Sequence, residues 1–489
     1  MITDKIYEWA SIQPEEIAVI HNDLPLSYAA FARSIEATRI FLRQYDLPLG
    51  RTAVVVMQSS LDAWVNVLAL RALGLNTICV SSLAVASSLK VRDVACVVVT
   101  QAELSRHKLD SDGLAGTRVV VVPGRLYTDI NDGTIPRPHS IGAPAGDHIL
   151  YTSGTTGMYK KLARRGGDED KRNALRAEIY SSTQDSVFFG ANFPLWTSAG
   201  FDVPSSTWHM GGRVVLVQGL DPNLSWLKHG ITWTVLVPQM LKDILQAMEH
   251  PELPAGDFDL GIAGGFLSLD LAEKATRLIS SNISIRYGAT EYGWLLQSHF
   301  RDESDLHWLT PARPGIFQIV DANGHENPMG REGELRVRLA DVDGSSYLDD
   351  DEATAQAFRG GYFYPGDIAI QREDGRIRIL GRKADVLNVL GIKVAVAPLE
   401  ARVQKTLGVS SACLFSGLDD DGKEELVVAI ESERAPEKAE LDKVSRSFPQ
   451  FERIRFEVFE KFPRTEAGMH KIKRAELRKL VFRTSGSSD

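Results

Sequence analysis

Six short runs dominated by β-branched residues set the tightest limit on what this chain can fold into: 52–57 TAVVVM, 77–80 TICV, 94–99 VACVVV, 118–122 RVVVV, 213–217 RVVLV and 234–237 TVLV. Each is nearly continuous in apolar character and does not alternate. A strand takes that composition when both of its faces are buried, as in a parallel sheet covered by helices. Stretches between them, such as 27–44 and 60–73, repeat apolar residues at threes and fours, the spacing of a covering helix. The fold class predicted is α/β, with parallel-rich sheets in a large N-terminal domain. The pattern changes near 365–385, where YPGDIAIQREDGRIRILGRKAD reads as a hairpin turning at Asp374-Gly375. Beyond it the sequence predicts a helix at 398–407, a strand at 425–431, a helix at 436–446, a strand near 452–459 and a basic tail. These form a small α+β domain. We place the boundary at 382–385, giving domains 1–382 and 383–489.

At 489 residues the chain is too long for one ordinary core. A net charge of -9 argues against nucleic acid as a partner, because phosphate backbones are held by a basic footprint. No run approaches the roughly 18 apolar residues of a membrane span. The opening MITDKIYEWASIQPEE lacks the basic-then-apolar order of a signal peptide. Cys79, Cys96 and Cys413 have neither metal nor CxxC spacing and read as buried thiols of a reducing compartment. The expected location is the cytoplasm.

The string ILYTSGTTGMYKKL (149–162) carries the chemistry. Gly154 and Gly157 permit positive φ and close backbone approach. Ser153, Thr155 and Thr156 add hydroxyl donors to exposed N–H groups, and Lys160 adds a mobile positive charge. A strand running into such a loop is a cradle for phosphate oxygens. It is not a Walker A loop, which needs four residues between its glycines followed by GK[ST]. At an average usage of about 7% per residue, a seven-residue match somewhere in the chain arises by chance on the order of 10⁻⁶ to 10⁻⁵.

YTSGTTG resembles the phosphate loop of the adenylate-forming superfamily, which contains acyl-CoA synthetases, peptide-synthetase adenylation domains and luciferases. Further segments resemble that family in the same order. In IRYGATEYG (285–293) the resemblance implies that Tyr287 and Gly288 border the adenine, Thr290 meets the phosphates and Glu291 holds Mg²⁺. A carboxylate and a hydroxyl are suitable hard oxygen ligands for that ion. IAGGFLS (262–268) places Gly264 and Gly265 against the base. PGD (365–367) and GRKAD (381–385) imply ribose or phosphate contacts from Asp367 and Arg382, which read otherwise as a hairpin ion pair. FPLWTSAG (193–200) makes Trp196, with Phe201, a wall of the acyl pocket. VLNVLGIKVAVAPLE (386–400) resembles the loop along which the pantetheine arm passes, at Gly391. In FPRTEAGMHKIKRAEL (462–477) the resemblance makes Lys471 the catalytic lysine, with Lys473 as its rival because Met469 and His470 are extra.

The resemblance implies two half-reactions. A carboxylate attacks the α-phosphorus of MgATP to give an acyl-adenylate and pyrophosphate, and a thiol then displaces AMP. Thr152, the 153–157 donors, Lys160 and Glu291 serve the phosphates, and Lys471 serves the carboxylate and α-phosphate. The acceptor expected is CoA, with the phosphopantetheine of an acyl carrier protein as the alternative. Asp202 beside Phe201 keeps an amino-acid substrate open. Several positions depart from the family. Tyr159 and Lys161 replace the usual proline and glycine around Lys160, and Pro365 replaces a threonine. Ala384, beside Asp385, stands at the hinge where an acidic residue or lysine is usual, which points to an altered domain balance. No histidine follows the loop, and KKLARRGGDEDKR (160–172) reads as a charged, exposed stretch. Such departures leave a catalytically silent nucleotide-binding relative as the alternative outside enzymes.

Overall fold

The computed structural model describes residues 1–106, 117–123, 145–153, 159–191, 193–217, 219, 221, 224–248, 256–383, 386–389, 392–409, 411–418, 424–449, 451, 453–464 and 472–483. They fall into two compact units: residues 1–263, 273–299 and 339–361 form the first, and residues 264–272, 300–338 and 362–489 the second.

In chain order the strands of the first unit are β1 (Ile17–His21), β2 (Leu24–Ser27), β3 (Thr52–Val56), β4 (Asn76–Cys79), β5 (Val94–Thr100), β6 (Val119–Val122), β7 (His148–Ser153), β8 (Tyr159–Arg164), β9 (Val187–Phe189), β10 (Arg213–Leu216), β11 (Trp233–Leu236), β12 (Gly256–Ala263), β13 (Ser280–Ala289) and β14 (Gly293–His299). One sheet has the order β6-β5-β3-β4-β7-β8. All its pairs are parallel except the last, where β7 and β8 form an antiparallel hairpin. The second has the order β14-β13-β12-β11-β9-β10-β1-β2. It is parallel from β13 to β1 and is flanked by the antiparallel pairs β13/β14 and β1/β2. All six β-branched runs are strands, and the two amphipathic stretches are the helices Tyr28–Arg43 and Ser60–Ala72. Ser27 and Ser59 cap those helices, each accepting from a backbone N–H three residues on.

The core between the layers is rich in aromatics. Trp64 meets Trp208 edge-on at 4.9 Å, and Phe31 lies 5.1 Å from Trp208. Burial of these rings out of water is the main force holding helices to sheet. The three cysteines are buried, and burial pushes the Cys96 thiol up to about 12.

The second unit contains an antiparallel sheet in which Gly333–Arg338 pairs with Phe317–Val320 and with Asp367–Gln371, and Asp367–Gln371 pairs with Ile377–Arg382. The turn between the last two strands uses Asp374, whose carboxylate accepts from Arg372 and Arg376, and Gly375 at φ +82. Toward the C-terminus the four elements read from the sequence appear as the helix Val396–Leu407, the strand Glu424–Glu431, the helix Lys438–Arg446 and the strand Ile454–Phe459. A hairpin (Val386–Val389 with Ile392–Ala395), a strand (Ser411–Leu418) and a helix (Arg474–Arg483) complete this region. Its own core includes Val396, Val403, Leu414, Val428, Val444 and Phe448. Among the described residues no helix is long and apolar enough to cross a membrane.

Candidate active site

The described ends of the string 149–162 belong to the paired strands β7 and β8. Backbone pairing runs Tyr151↔Lys161, Thr152↔Lys160 and Ser153↔Tyr159, so Thr152 and Lys160 stand opposite one another next to the last pair. Gly154, Thr155, Thr156 and Gly157 lie outside the described residues. Tyr159, in the position of the family's proline, packs edge-on against Tyr151 at 5.4 Å. Tyr151 in turn stacks on Trp196 at 5.7 Å, and its N–H donates to the Trp196 carbonyl. Trp196 is only partly buried, so this aromatic stack is not wholly enclosed.

Glu291 is carried by a second hairpin. Thr290, Glu291 and Tyr292 form the turn joining β13 to β14, with a bulge between Tyr287 and Gly288. Two glycines make this turn possible. A side chain at Gly288 would put its Cβ 1.9 Å from the Gly293 carbonyl, and Gly293 itself sits at φ +76 against the Tyr180 hydroxyl. Tyr287 and Thr290 are partly exposed, whereas Glu291 is buried.

The segment 347–349 ties the two hairpins together. The Tyr347 hydroxyl donates to Glu291 Oε1 at 2.5 Å. Lys160 Nζ lies over the face of the same Tyr347 ring, 4.9 Å from its centroid. The next residue, Leu348, donates its N–H to the Lys161 carbonyl at 2.8 Å, and Asp349 accepts from Lys161 Nζ at 2.7 Å. That hydrogen bond is the main reason the Asp349 carboxyl is held below its ordinary value. Below these contacts Arg164, four residues beyond Lys160, donates to the Thr290 carbonyl and forks onto Asp202.

The charged stretch after the loop is exposed only in part: Arg165, Asp170 and Lys171 face solvent as its composition suggests, but four other charges do not. Lys161, Arg164, Glu169 and Arg172 are all buried, because each has an opposite charge from a distant element. Arg71 pairs with Glu169 at 2.7 Å, Arg176 with Asp343, and Arg172 lies 4.0 Å from Asp202. Burial, followed by repulsion from Arg164, lowers Arg172 to about 10. Asp202 shows the opposite balance. Burial alone would raise its carboxyl, but the charge and hydrogen bonds of Arg164, with Arg172 and Arg176, hold it below the usual range.

Phe201 and Asp202 were expected near the acyl group, and the structure places both in the interior. Phe201 is 1% exposed, sandwiched between Trp64 at 5.2 Å and His148 at 4.0 Å. Asp202 also accepts from Ser198 Oγ. Its oxygens are occupied by this chain's own cations and hydroxyl.

In the second unit Asp367 and Arg382 face each other across the hairpin, with Arg382 Nε 3.0 Å from the buried Asp367 Oδ1. The ion pair read from their spacing is present, and the exposed guanidinium also donates to the Pro365 carbonyl. Gly264 has φ +81, and Gly265 follows it in an exposed bend. Ala384, Asp385, Gly391 and Lys471 lie outside the described residues. Lys473 is described: its N–H donates to the Pro463 carbonyl, and Nζ lies 3.2 Å from Glu476.

Tyr347, Arg164 and Asp349 went unmarked in the sequence, and Lys161 was marked only as a departure from the family. The departure at Lys161 was the one visible signal, and it becomes informative only once the lysine is found buried, since a buried ammonium is paired with an acid.

Residues 6–342 match the family described as AMP-binding enzyme, and the chain belongs to that family. It is similar to a salicylyl-CoA synthase / salicylate adenylyltransferase of a Streptomyces species, 24% identical over 97% of this chain and 93% of that protein. It is also similar to the salicyl-AMP ligase / salicyl-S-ArCP synthetase of Mycobacterium tuberculosis, 26% identical over 72% of this chain and 63% of that protein. Its fold superimposes on the O-succinylbenzoate coenzyme A synthetase of Bacillus subtilis, solved with ATP and magnesium ion, with a TM-score of 0.80 at 20% identity, covering 97% of this chain and 99% of that one.

Proposed function

We propose that this enzyme activates a carboxylic acid on ATP, releasing pyrophosphate, and passes the acyl group from the adenylate to the thiol of CoA. The observation that carries the reading is the meeting of the two hairpin ends: the lysine of the phosphate loop and the turn glutamate share one tyrosine, Tyr347. A cation for phosphate oxygens and a carboxylate for a divalent ion are thereby held side by side.

Glu291, with the Thr290 hydroxyl, has the hard oxygen donors that suit Mg²⁺. The ion supplies charge neutralisation to the triphosphate. A carboxylate is a weak nucleophile toward a polyanion, so alignment and positive charge provide most of the catalysis. Lys160 and the 153–157 loop serve the β- and γ-phosphates, with Thr152 at the strand end beside them. Tyr287, Gly288, Gly264 and Gly265 border the adenine, and Asp367 and Arg382 serve the ribose. Lys471 neutralises the attacking carboxylate and an α-phosphate oxygen as the phosphorus–oxygen bond to pyrophosphate breaks. In the second step the thiol sulfur bonds to the acyl carbon and AMP departs, with Gly391 beside the pantetheine arm. A mobile domain beginning at 383, hinged at Ala384 and Asp385, belongs to the same reading.

Trp196 is the pocket wall in this proposal. Phe201 and Asp202 act behind it, as packing and as counter-charge. An Asp202 already neutralised by Arg164 is not available to an ammonium group, which favours a plain acid over an amino acid. The two salicylate relatives name different acceptors, CoA and a carrier protein. The test is ATP–pyrophosphate exchange over a panel of aryl and aliphatic acids, followed by thioester formation with CoA or a phosphopantetheinylated carrier. Exchange with at least one acid and a CoA thioester are expected. Exchange with transfer only to the carrier would replace the acceptor, and ATP binding without exchange for any acid would point to a silent relative.

A further inference from the structure

Tyr347 belongs to none of the segments that marked the site, yet it touches both of the groups assigned to the metal and the phosphates. Its hydroxyl donates to Glu291 Oε1 at 2.5 Å in a buried setting. That length suits an O–H bonded to a charged carboxylate, the stronger class of hydrogen bond. Such a bond fixes the carboxylate's rotation and engages one of its two oxygens. The ring face meanwhile holds Lys160 Nζ at 4.9 Å.

Tyr347 is itself held on several sides. Its N–H donates to Thr354 Oγ1 at 3.0 Å, and Thr354 Oγ1 donates in turn to the Asp350 carbonyl at 2.7 Å. Phe358 packs edge-on against the ring at 5.2 Å. The following two residues are fastened to β8 through the Lys161 carbonyl and Lys161 Nζ. A side chain anchored this firmly transmits its geometry to what it touches instead of following it.

Resting on the proposed function, we infer that Tyr347 is the positioning residue of the metal and phosphate groups. Its hydroxyl orients Glu291 through Oε1, and the second carboxylate oxygen would be the one to hold Mg²⁺. Its ring is the resting place of Lys160 until a triphosphate draws the ammonium away. A ring quadrupole attracts a cation less strongly than phosphate oxygens do, so the lysine is held ready without being trapped.

The experiment uses the full chain and the Tyr347→Phe variant, which keeps the ring and removes the hydroxyl. ATP binding is measured by calorimetry over a Mg²⁺ series and in EDTA, alongside thermal unfolding and the KM and kcat of pyrophosphate exchange. Expected for Tyr347→Phe are a Tm within a few degrees of wild type, unchanged ATP affinity in EDTA and a roughly ten-fold higher half-saturating Mg²⁺ concentration. Excess Mg²⁺ restores kcat, and KM for the acid does not move. Glu291→Gln should weaken the metal dependence as well, and adding Tyr347→Phe to it should change nothing further, since the hydroxyl acts only through that carboxylate. A half-saturating Mg²⁺ within two-fold of wild type in Tyr347→Phe, with Glu291→Gln impaired, overturns the role of Tyr347 alone. Wild-type ATP binding indifferent to Mg²⁺ overturns the functional reading on which it rests.

Discussion

Arg164 and Asp202, each only 1% exposed, are joined by three hydrogen bonds of 2.7 to 3.1 Å, and the same guanidinium donates to the backbone carbonyl of Thr290. One ion pair thereby links the strand that leaves the phosphate loop, the helix Ser198–His209 and the turn that carries Glu291. It is costly to bury and more costly to break, since either partner alone is an uncompensated charge.

Asp202→Ala is therefore expected to destabilise the first unit by about 3–5 kcal/mol. The double variant Arg164→Met with Asp202→Leu should recover most of that loss, because a well-packed apolar pair replaces a buried ion pair at little net cost. Urea titration of the three proteins decides the matter. A double variant no more stable than Asp202→Ala would show that the pair's hydrogen bond to Thr290 matters more than its charge balance.

His148 gives the molecule an acid limit. Its Nε2–H donates to the Leu195 carbonyl at 2.9 Å, so Nδ1 is the acceptor for the Thr77 hydroxyl at 2.8 Å, and the ring is neutral. Burial, with the nearby Arg71 charge adding to it, lowers its pKa to about 3, although the Leu195 bond, Asp202 and Glu169 oppose the shift. A depressed folded-state pKa means that the unfolded chain takes up the proton first. The stability this histidine contributes is whole above the unfolded value of about 6.5 and is lost progressively as the pH falls toward 3. Unfolding free energy of the wild type should fall by about 1.4 kcal/mol per pH unit more steeply than that of His148→Gln between pH 6 and 4. Equal slopes would mean that His148 is protonated in the folded protein.

For the lysine assignment, Lys471→Ala should reduce pyrophosphate exchange by about 10²–10³ while ATP still binds. Lys473→Ala should retain exchange, because Lys473 sits 3.2 Å from Glu476 at the start of a helix. The reverse outcome would move the catalytic role by two positions.

How much of this was legible differs between fold and site, for a physical reason. A strand buried on both faces must be apolar throughout, so Val94–Thr100 or Trp233–Leu236 declares itself from composition alone. Ser411–Leu418 does not, because serines, a cysteine and Gly417 interrupt it, and Gly417 is there to admit the Phe482 ring. The turn at 290–292 has a local signature, because backbone chemistry dictates the glycines that flank it, Gly288 and Gly293. The contacts around it have none: Arg164 reaches 38 residues to Asp202, and Tyr347 reaches back 56 to Glu291. No local spacing encodes such a pairing, and the buried charges of 161–172 look like any solvated stretch until their distant partners are placed.

The Lys161–Asp349 pair changes what the unusual loop ending means for anyone who would edit it. The two residues stand 188 positions apart, yet the lysine is buried and its ammonium hydrogen-bonds the aspartate at 2.7 Å. Restoring the glycine of the family's usual ending would leave Asp349 with only the exposed Arg92, 3.4 Å away, as its cation and would remove one of the ties that fasten the segment carrying Tyr347 to β8. The loop is thus not a portable cassette. Position 349 has to travel with it, and the two sites are epistatic even though either looks like an idiosyncrasy when viewed by itself.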